Sequence, residues 1–287
     1  MASTLSHPVR VAAIRFMNPA PLMWDFEHAP RNSELSFRYQ LHYTLPSRCA
    51  DELIAGRADL GLIPIASLTP ELVIVPGSTI ASLDRVRSIQ LIVKRPHTLG
   101  SVRTVAADNA SRSSRAYAEL ILRRFYSNSP HFVTQSANLI AMLEHADAAL
   151  LIGDPALLAL EARDEIESAV GACDWFDLAH EWHTLTGLPW VAAVWAARPE
   201  AIAEGRIAAA QLIDDLTQSR DHGLAHIEDL VTEWRTRIAL SPETIRYYFT
   251  QNIHYTLTED CAETITLFRR YAAEEDILPR LPLPRFL

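Results

Sequence analysis

TVAADNASRSSRAYAEL, Thr104 to Leu120, decides how this chain of 287 residues reads. Its first five residues form a short apolar run that stops at Asp108. Helical spacing then takes over. Tyr117, Leu120, Ile121 and Phe125 fall on one face, so a helix is expected over Ser114 to Phe125. A strand running straight into a helix is the building unit of an α/β fold. Between the two lie Ser111, Arg112, Ser113 and Ser114, with Arg115 next. Arginine at the start of a helix meets the positive end of its dipole. The first amides of a helix have no intrahelical partner, and Glu119 lies too far along to form a capping box. An external anion would account for the free donors and the arginine together. A serine-capped helix with solvated arginines is the plainer alternative. No Gly-x-Gly pattern or P-loop lysine is present, which disfavours a nucleotide phosphate.

Working outward, the same alternation recurs. VRVAAIRF reads as a buried strand, and the proline-broken MNPAPLMWDF after it must turn. SFRYQLHYT alternates, with Phe37, Tyr39 and Leu41 on one face, and reads as a half-exposed strand. SRCADELIAGRA reads as a short helix capped by Ser47 and stopped at Gly56. DLGLIPIASL, LVIVPGSTIA and SIQLIVKR are further strands. After Lys94 the pattern restarts with TVAAD, HFVTQS and DAALLIGD as strands, separated by helices. LPWVAAVWAAR reads as a strand returning from this second unit. From Pro199 the chain is helical in pattern, and its tail ILPRLPLPRFL is proline-rich and extended. The expectation is an α/β fold in two lobes. Lobe one comprises residues 1–94 and 197–287, with the C-terminal helices. Lobe two comprises residues 95–196. A cleft between lobes is where small ligands bind.

Composition narrows the function. Hydrophobic residues make up 49% and charged residues 21%, an ordinary globular balance. The net charge of −9 argues against nucleic acid as a partner, since phosphates call for a basic face. The three cysteines, Cys49, Cys173 and Cys261, are far apart and in no C-x-x-C spacing, which fits reduced thiols of a cytoplasmic protein. The opening MASTLSHPVRVAAIRF lacks the apolar stretch of an export signal. No run is long enough to span a membrane, so no membrane partner is expected.

Other positions bear on chemistry. Asn18 follows the first strand and precedes Pro19. It points into a cleft with both a donor and an acceptor, or it is a turn asparagine. Ser88 opens a strand beside Arg85 and Arg87, or is a plain loop serine. Gly153 ends a buried strand and lets backbone approach a neighbour closely. Asp154 is expected to cap the helix that Pro155 starts. His180 and His183 in HEWHTLTGLP do not match H-E-x-x-H and have no evident third ligand, so no metal is expected. No G-x-S-x-G elbow surrounds any serine.

Taken together, MNPAPL, RADLGLIPIASL, VRSIQLIVKRP, DNASRSSRAYAELIL, DAALLIGDPAL and DLAHEWHTLTGLPWVAAVWAAR resemble the chorismate dehydratases of the futalosine route to menaquinone. The resemblance runs from about Val9 to Arg198. It implies the two-lobed fold of class II periplasmic binding proteins. It also implies loss of water from chorismate to give 3-[(1-carboxyvinyl)oxy]benzoate, without a cofactor. Asn18 would then be catalytic and face the substrate, while Ser88 and the turn Ser111, Arg112, Ser113, Ser114 would hold its carboxylates. Gly153 would belong to the substrate pocket. A sister family that cleaves cyclic dehypoxanthine futalosine carries a catalytic histidine where this chain has Gly153, which favours the dehydratase. One departure is Ile65, where many dehydratases have serine after GLIP; Ser67 follows two residues later. A solute-binding protein for a small carboxylate and a lyase of the sister type are the alternatives. The oligomeric state is left open.

Overall fold

The computed structural model describes residues 8–287. The expectation about an export signal concerns, in part, residues outside that range. Two sheets organise the chain. The first contains β1 (Val9–Ile14), β2 (Tyr39–Thr44), β3 (Leu60–Pro64), β4 (Val73–Ser82), β10 (Trp190–Ala197), β11 (His254–Thr256) and β12 (Arg285–Phe286). The second contains β5 (Ile89–Lys94), β6 (Thr104–Asp108), β7 (His131–Gln135), β8 (Ala148–Ile152) and β9 (Cys173–Asp177). Helices pack around both, and a core of buried apolar residues runs continuously from one sheet to the other.

The sheets share one plan. The first is ordered β11-β4-β10-β3-β1-β2, the second β7-β6-β8-β5-β9. In each, a strand arriving from the other half is inserted antiparallel between two resident strands. β10 pairs with β3 and β4, and β5 pairs with β8 and β9. The remaining central pairs, β1 with β2 and β3, and β6 with β7 and β8, are parallel. Central strands β3 and β8 are buried along their whole length, as their unbroken apolar runs require. Edge strands β2 and β7 are mostly exposed or half-buried, each with a single buried residue, Tyr39 and Phe132.

This exchange of strands corrects the lobe boundaries. Ile89–Lys94 belongs to the second sheet and Trp190–Ala197 to the first. The chain therefore crosses between Ser82 and Ile89 and returns between Asp177 and Trp190, not at Lys94 and Ala197. Uniformly apolar strands carry no mark of the sheet that buries them.

Other local readings also shift. The SFRYQLHYT strand begins only at Tyr39; Ser36, Phe37 and Arg38 instead close the Arg31–Arg38 helix, leaving Phe37 81% exposed. Arg31 and Arg38 on that helix reach the buried carboxylate of Asp215, a contact no local alternation encodes. Pro46 opens the Pro46–Ile54 helix behind Leu45, and Ser47 makes no cap. CDWFD, with its two acids, is strand β9 all the same, because β5 pairs along it. Gly223, inside the Ala209–Ala225 helix, has a physical reason to be glycine. A Cβ there would stand 2.1 Å from the Pro21 carbonyl oxygen, so the helix presses directly on the backbone of the MNPAPL turn.

Candidate active site

The carboxyl ends of β1, β6 and β8 meet the crossing segment before β5 around a single cavity. Counted out into its open mouth, its empty space is about 570 Å³. Asn18, Ser88, Ser111, Arg112, Ser113, Ser114 and Gly153 all line it, so residues scattered over the sequence share one cavity. Phe16, Ile14, Pro64, Ile152 and Trp190 supply apolar surface between them.

The turn after β6 is built by Asp108. Its buried carboxylate accepts the Ala110 amide at 3.0 Å, and its carbonyl accepts the Ser111 amide. Burial pushes the Asp108 carboxyl upward, with the amide it holds pulling the other way. The helix then runs Arg112–Tyr126, two residues earlier than its apolar spacing suggests, with Ser111 at the N-cap. No side chain caps it, and its first turn contains no acid. Ser111 is 4% exposed, and its Oγ has no hydrogen-bond partner among the described residues. Ser113 Oγ is engaged, accepting the Ala66 amide at 3.2 Å. That bond also answers the question raised by Ile65. The wall after β3 reaches the site through Pro64 and through a backbone amide, not through a serine hydroxyl.

The two arginines do not share one role. Arg112 Nη2 lies 2.9 Å from both carboxylate oxygens of Asp51, on the Pro46–Ile54 helix of the opposite lobe. Its charge therefore has a protein partner at the cavity rim. Arg115 turns away from the cavity to Glu119 at 3.0 Å, and stacks over Phe132. The acid too distant for a capping box is thus Arg115's partner at i+4.

Asn18 stands opposite. Its Oδ1 is buried without a hydrogen-bond partner among the described residues. The turn carrying it is pinned to the other lobe, where the Met17 amide donates to Asp154 Oδ1 at 3.0 Å. This corrects the role expected of Asp154. Gly153 occupies the N-cap of the Asp154–Glu161 helix, and the Asp154 side chain makes no cap bond. Burial pushes the Asp154 carboxyl up to about 6, partly offset by the Met17 amide. Gly153 has φ 64°, in the left-handed region that favours glycine.

Ser88 sits on the first crossing between the sheets. The preceding Arg87 has φ 61°, unusual for a side-chain-bearing residue. The strain is held by Asp177, whose carboxylate accepts the Val86 amide at 3.3 Å and the Arg87 amide at 2.7 Å. The same carboxylate caps the Leu178–Thr186 helix through Ala179 and His180. Gly153 N donates to the Ser88 carbonyl at 2.7 Å, tying two cavity-lining residues together. The Tyr248 hydroxyl donates to Ser88 Oγ at 2.8 Å. The sequence reading missed Asp177, Tyr248 and Phe16. Only Asp177 left a local signal, an acid placed immediately before a helix.

His180 pairs with Asp84 and His183 with the Leu188 carbonyl, so the two do not converge. Among the described residues no group of three or more His, Cys, Asp or Glu is arranged to hold a metal. None of the helices described is long and apolar enough to cross a membrane. The three cysteines are buried and free.

Two α/β lobes with exchanged strands, closed on a cavity lined by a helix N-terminus and serines, define the periplasmic-binding-protein-like class. Solved structures agree. A protein from Archaeoglobus fulgidus superposes with a TM-score of 0.73 at 13% identity, covering 95% of this chain and 99% of its own. The alkanesulfonate-binding protein of Xanthomonas axonopodis pv. citri, bound to MOPS, gives 0.66 at 17% identity, with 96% of each chain covered. A Candida albicans protein described as having the generic periplasmic binding protein fold gives 0.62 at 11%, with 98% of each covered. Within this class the chain belongs to the menaquinone biosynthesis family, whose pattern matches residues 9–274. The chorismate dehydratase of Thermus thermophilus is 26% identical over 232 residues, covering 77% of this chain and 82% of the relative.

Proposed function

We propose that this protein is a chorismate dehydratase, a hydro-lyase that forms 3-[(1-carboxyvinyl)oxy]benzoate and water. The observation that carries the reading is the acid-free start of the Arg112–Tyr126 helix. It opens, beside an unpartnered Ser111 hydroxyl, on the cavity that Asn18 and Ser88 also line. Such a site suits a carboxylate, chorismate carries two, and a family relative bears that enzyme's name.

The elimination removes the ring proton beside the enol ether and the neighbouring hydroxyl. The C–H electron pair enters the ring as the C–O bond breaks, and the hydroxyl leaves as water with a proton. Aromatisation drives the step, and its atoms and electrons balance without a redox partner. Negative charge spreads toward the ring carboxylate as the proton departs. Donors aimed at that carboxylate stabilise the charge where it develops. Asn18 offers its amide to the departing hydroxyl or to the side-chain carboxylate. Among the described residues, no histidine, aspartate or glutamate lines the cavity. The substrate's own enolpyruvyl carboxylate is therefore assigned as the base, leaving the protein to position and to stabilise charge. The cytoplasmic location expected from the sequence goes with this reading.

Purified protein is mixed with chorismate, and the ultraviolet spectrum and product mass are followed. Loss of the chorismate spectrum with a product lighter by one water supports the proposal. An unchanged spectrum, where an authentic dehydratase is active, overturns it. Saturable chorismate binding without turnover would favour a solute-binding protein, the role named for the Xanthomonas relative. Full activity on an analogue lacking the enolpyruvyl carboxylate would reject that group as the base.

A further inference from the structure

Tyr248 lies 160 positions from Ser88 in sequence, yet its hydroxyl donates to the serine Oγ at 2.8 Å. Tyr248 is fully buried. It begins a π-helical turn, Tyr248–Asn252, that continues the Pro242–Tyr247 helix. Such turns are rare and are found frequently at functional sites. This one grips the crossing between the sheets twice. Tyr248 takes the Ser88 side chain, and Asn252 Nδ2 donates to the Arg85 carbonyl at 2.9 Å. Asp177 in turn holds the amides of Val86 and Arg87. The segment that presents Ser88 is therefore held at every residue from Arg85 to Ser88.

The clamp has a chemical consequence. A serine hydroxyl has one proton and two lone pairs. A phenol that donates to Ser88 fills a lone pair and leaves the serine proton free. Burial raises the Tyr248 phenol, its bond to Ser88 pulls the other way, and the charges of Asp154 and Asp177 add to the rise, so it keeps its proton. Ser88 itself lines the cavity. We propose that Tyr248 is a positioning residue that fixes Ser88 as a hydrogen-bond donor toward an oxygen of the bound substrate. The proposal rests on the reading of the cavity as a chorismate site. It gives the C-terminal helices, poor in recognisable motifs, a part in that site.

The test is a double-mutant cycle on chorismate turnover with Tyr248→Phe, Ser88→Ala and the pair. Tyr248→Phe keeps the buried ring and removes one oxygen. Its KM should rise roughly three- to tenfold, the span of one neutral hydrogen bond. Its kcat should change less, and its melting temperature should stay within a few degrees of wild type. Ser88→Ala should raise KM at least as much, and the double variant should be no worse than Ser88→Ala alone. A Tyr248→Phe enzyme with wild-type KM overturns the proposal. So does a double variant whose losses multiply in full, since the two residues would then act independently. An inactive wild-type protein rejects the function itself. An active one with an additive cycle rejects only the role of Tyr248.

Discussion

Phe16 and Gly153 meet from opposite lobes so closely that a Cβ added to Gly153 would lie 2.8 Å from Phe16 Cδ2 and 2.9 Å from Cε2. Two costs then fall on Gly153→Ala. The left-handed backbone costs on the order of 1–3 kcal/mol, and the clash adds roughly another 1–3 kcal/mol. The variant should be measurably less stable in a denaturant melt and a weaker catalyst, because Phe16 must leave its place on the cavity wall. Adding Phe16→Ala to Gly153→Ala should relieve the clash but not the backbone strain. The pair should thus lose less than the sum of the single variants. Strict additivity would mean that the contact is not what requires glycine here.

Asn18 should separate chemistry from stability. Its Oδ1 is buried and unpartnered, so the fold gains nothing from it. Asn18→Ala should leave the melting temperature unchanged or slightly higher, while kcat/KM for chorismate falls at least about tenfold, as for a donor acting in the transition state. Parallel losses of stability and activity would return Asn18 to the role of a turn residue.

These cases show what the sequence makes legible. Thr104–Asp108 is a strand over the residues its apolar run marks, and Asn18, Ser88, Ser111 and Gly153 share one cavity. Periodicity and strand-to-helix turns are local, and they place residues at the carboxyl ends of strands reliably. Partners are not local. Asp51 lies 61 positions from Arg112, and Tyr248 lies 160 from Ser88. Nothing in the spacing around Arg112 distinguishes a charge awaiting a ligand from one paired across the cleft. The same limit explains the lobe boundaries, since IQLIVK is equally apolar whichever sheet receives it.

The Arg112–Asp51 pair joins the lobes at the rim, with both side chains substantially exposed. Exposed pairs contribute at most about 1 kcal/mol to stability. Arg112→Ala should therefore melt close to wild type. Its KM should rise, because the variant loses both a charge beside the cavity and a link that holds the lobes together over it. Asp51→Asn weakens the link but keeps the arginine, so its KM should rise less. If Asp51→Asn matched Arg112→Ala, the link alone would account for the effect. If Arg112→Ala had wild-type KM, neither role would stand.

Asp154 gives a pH dependence of definite sign. Its carboxyl is pushed up to about 6 in the folded protein, chiefly by burial, against about 4 for a free aspartate. Between those values the folded chain retains a proton that the unfolded chain has lost. The contribution of this group to stability is therefore greatest below about pH 4, declines as pH rises through 6, and stays low above it. Asp154→Asn keeps an oxygen to accept the Met17 amide and removes the charge. Above pH 7 the variant should be more stable than wild type, by roughly 1–3 kcal/mol. The gap should close as pH falls toward 4, where the native carboxyl is also neutral. Thermal melts of the two proteins from pH 4 to 8 test this directly. Curves that run parallel across the range would show that Asp154 titrates as a solvated acid and that its burial against Met17 carries no electrostatic cost.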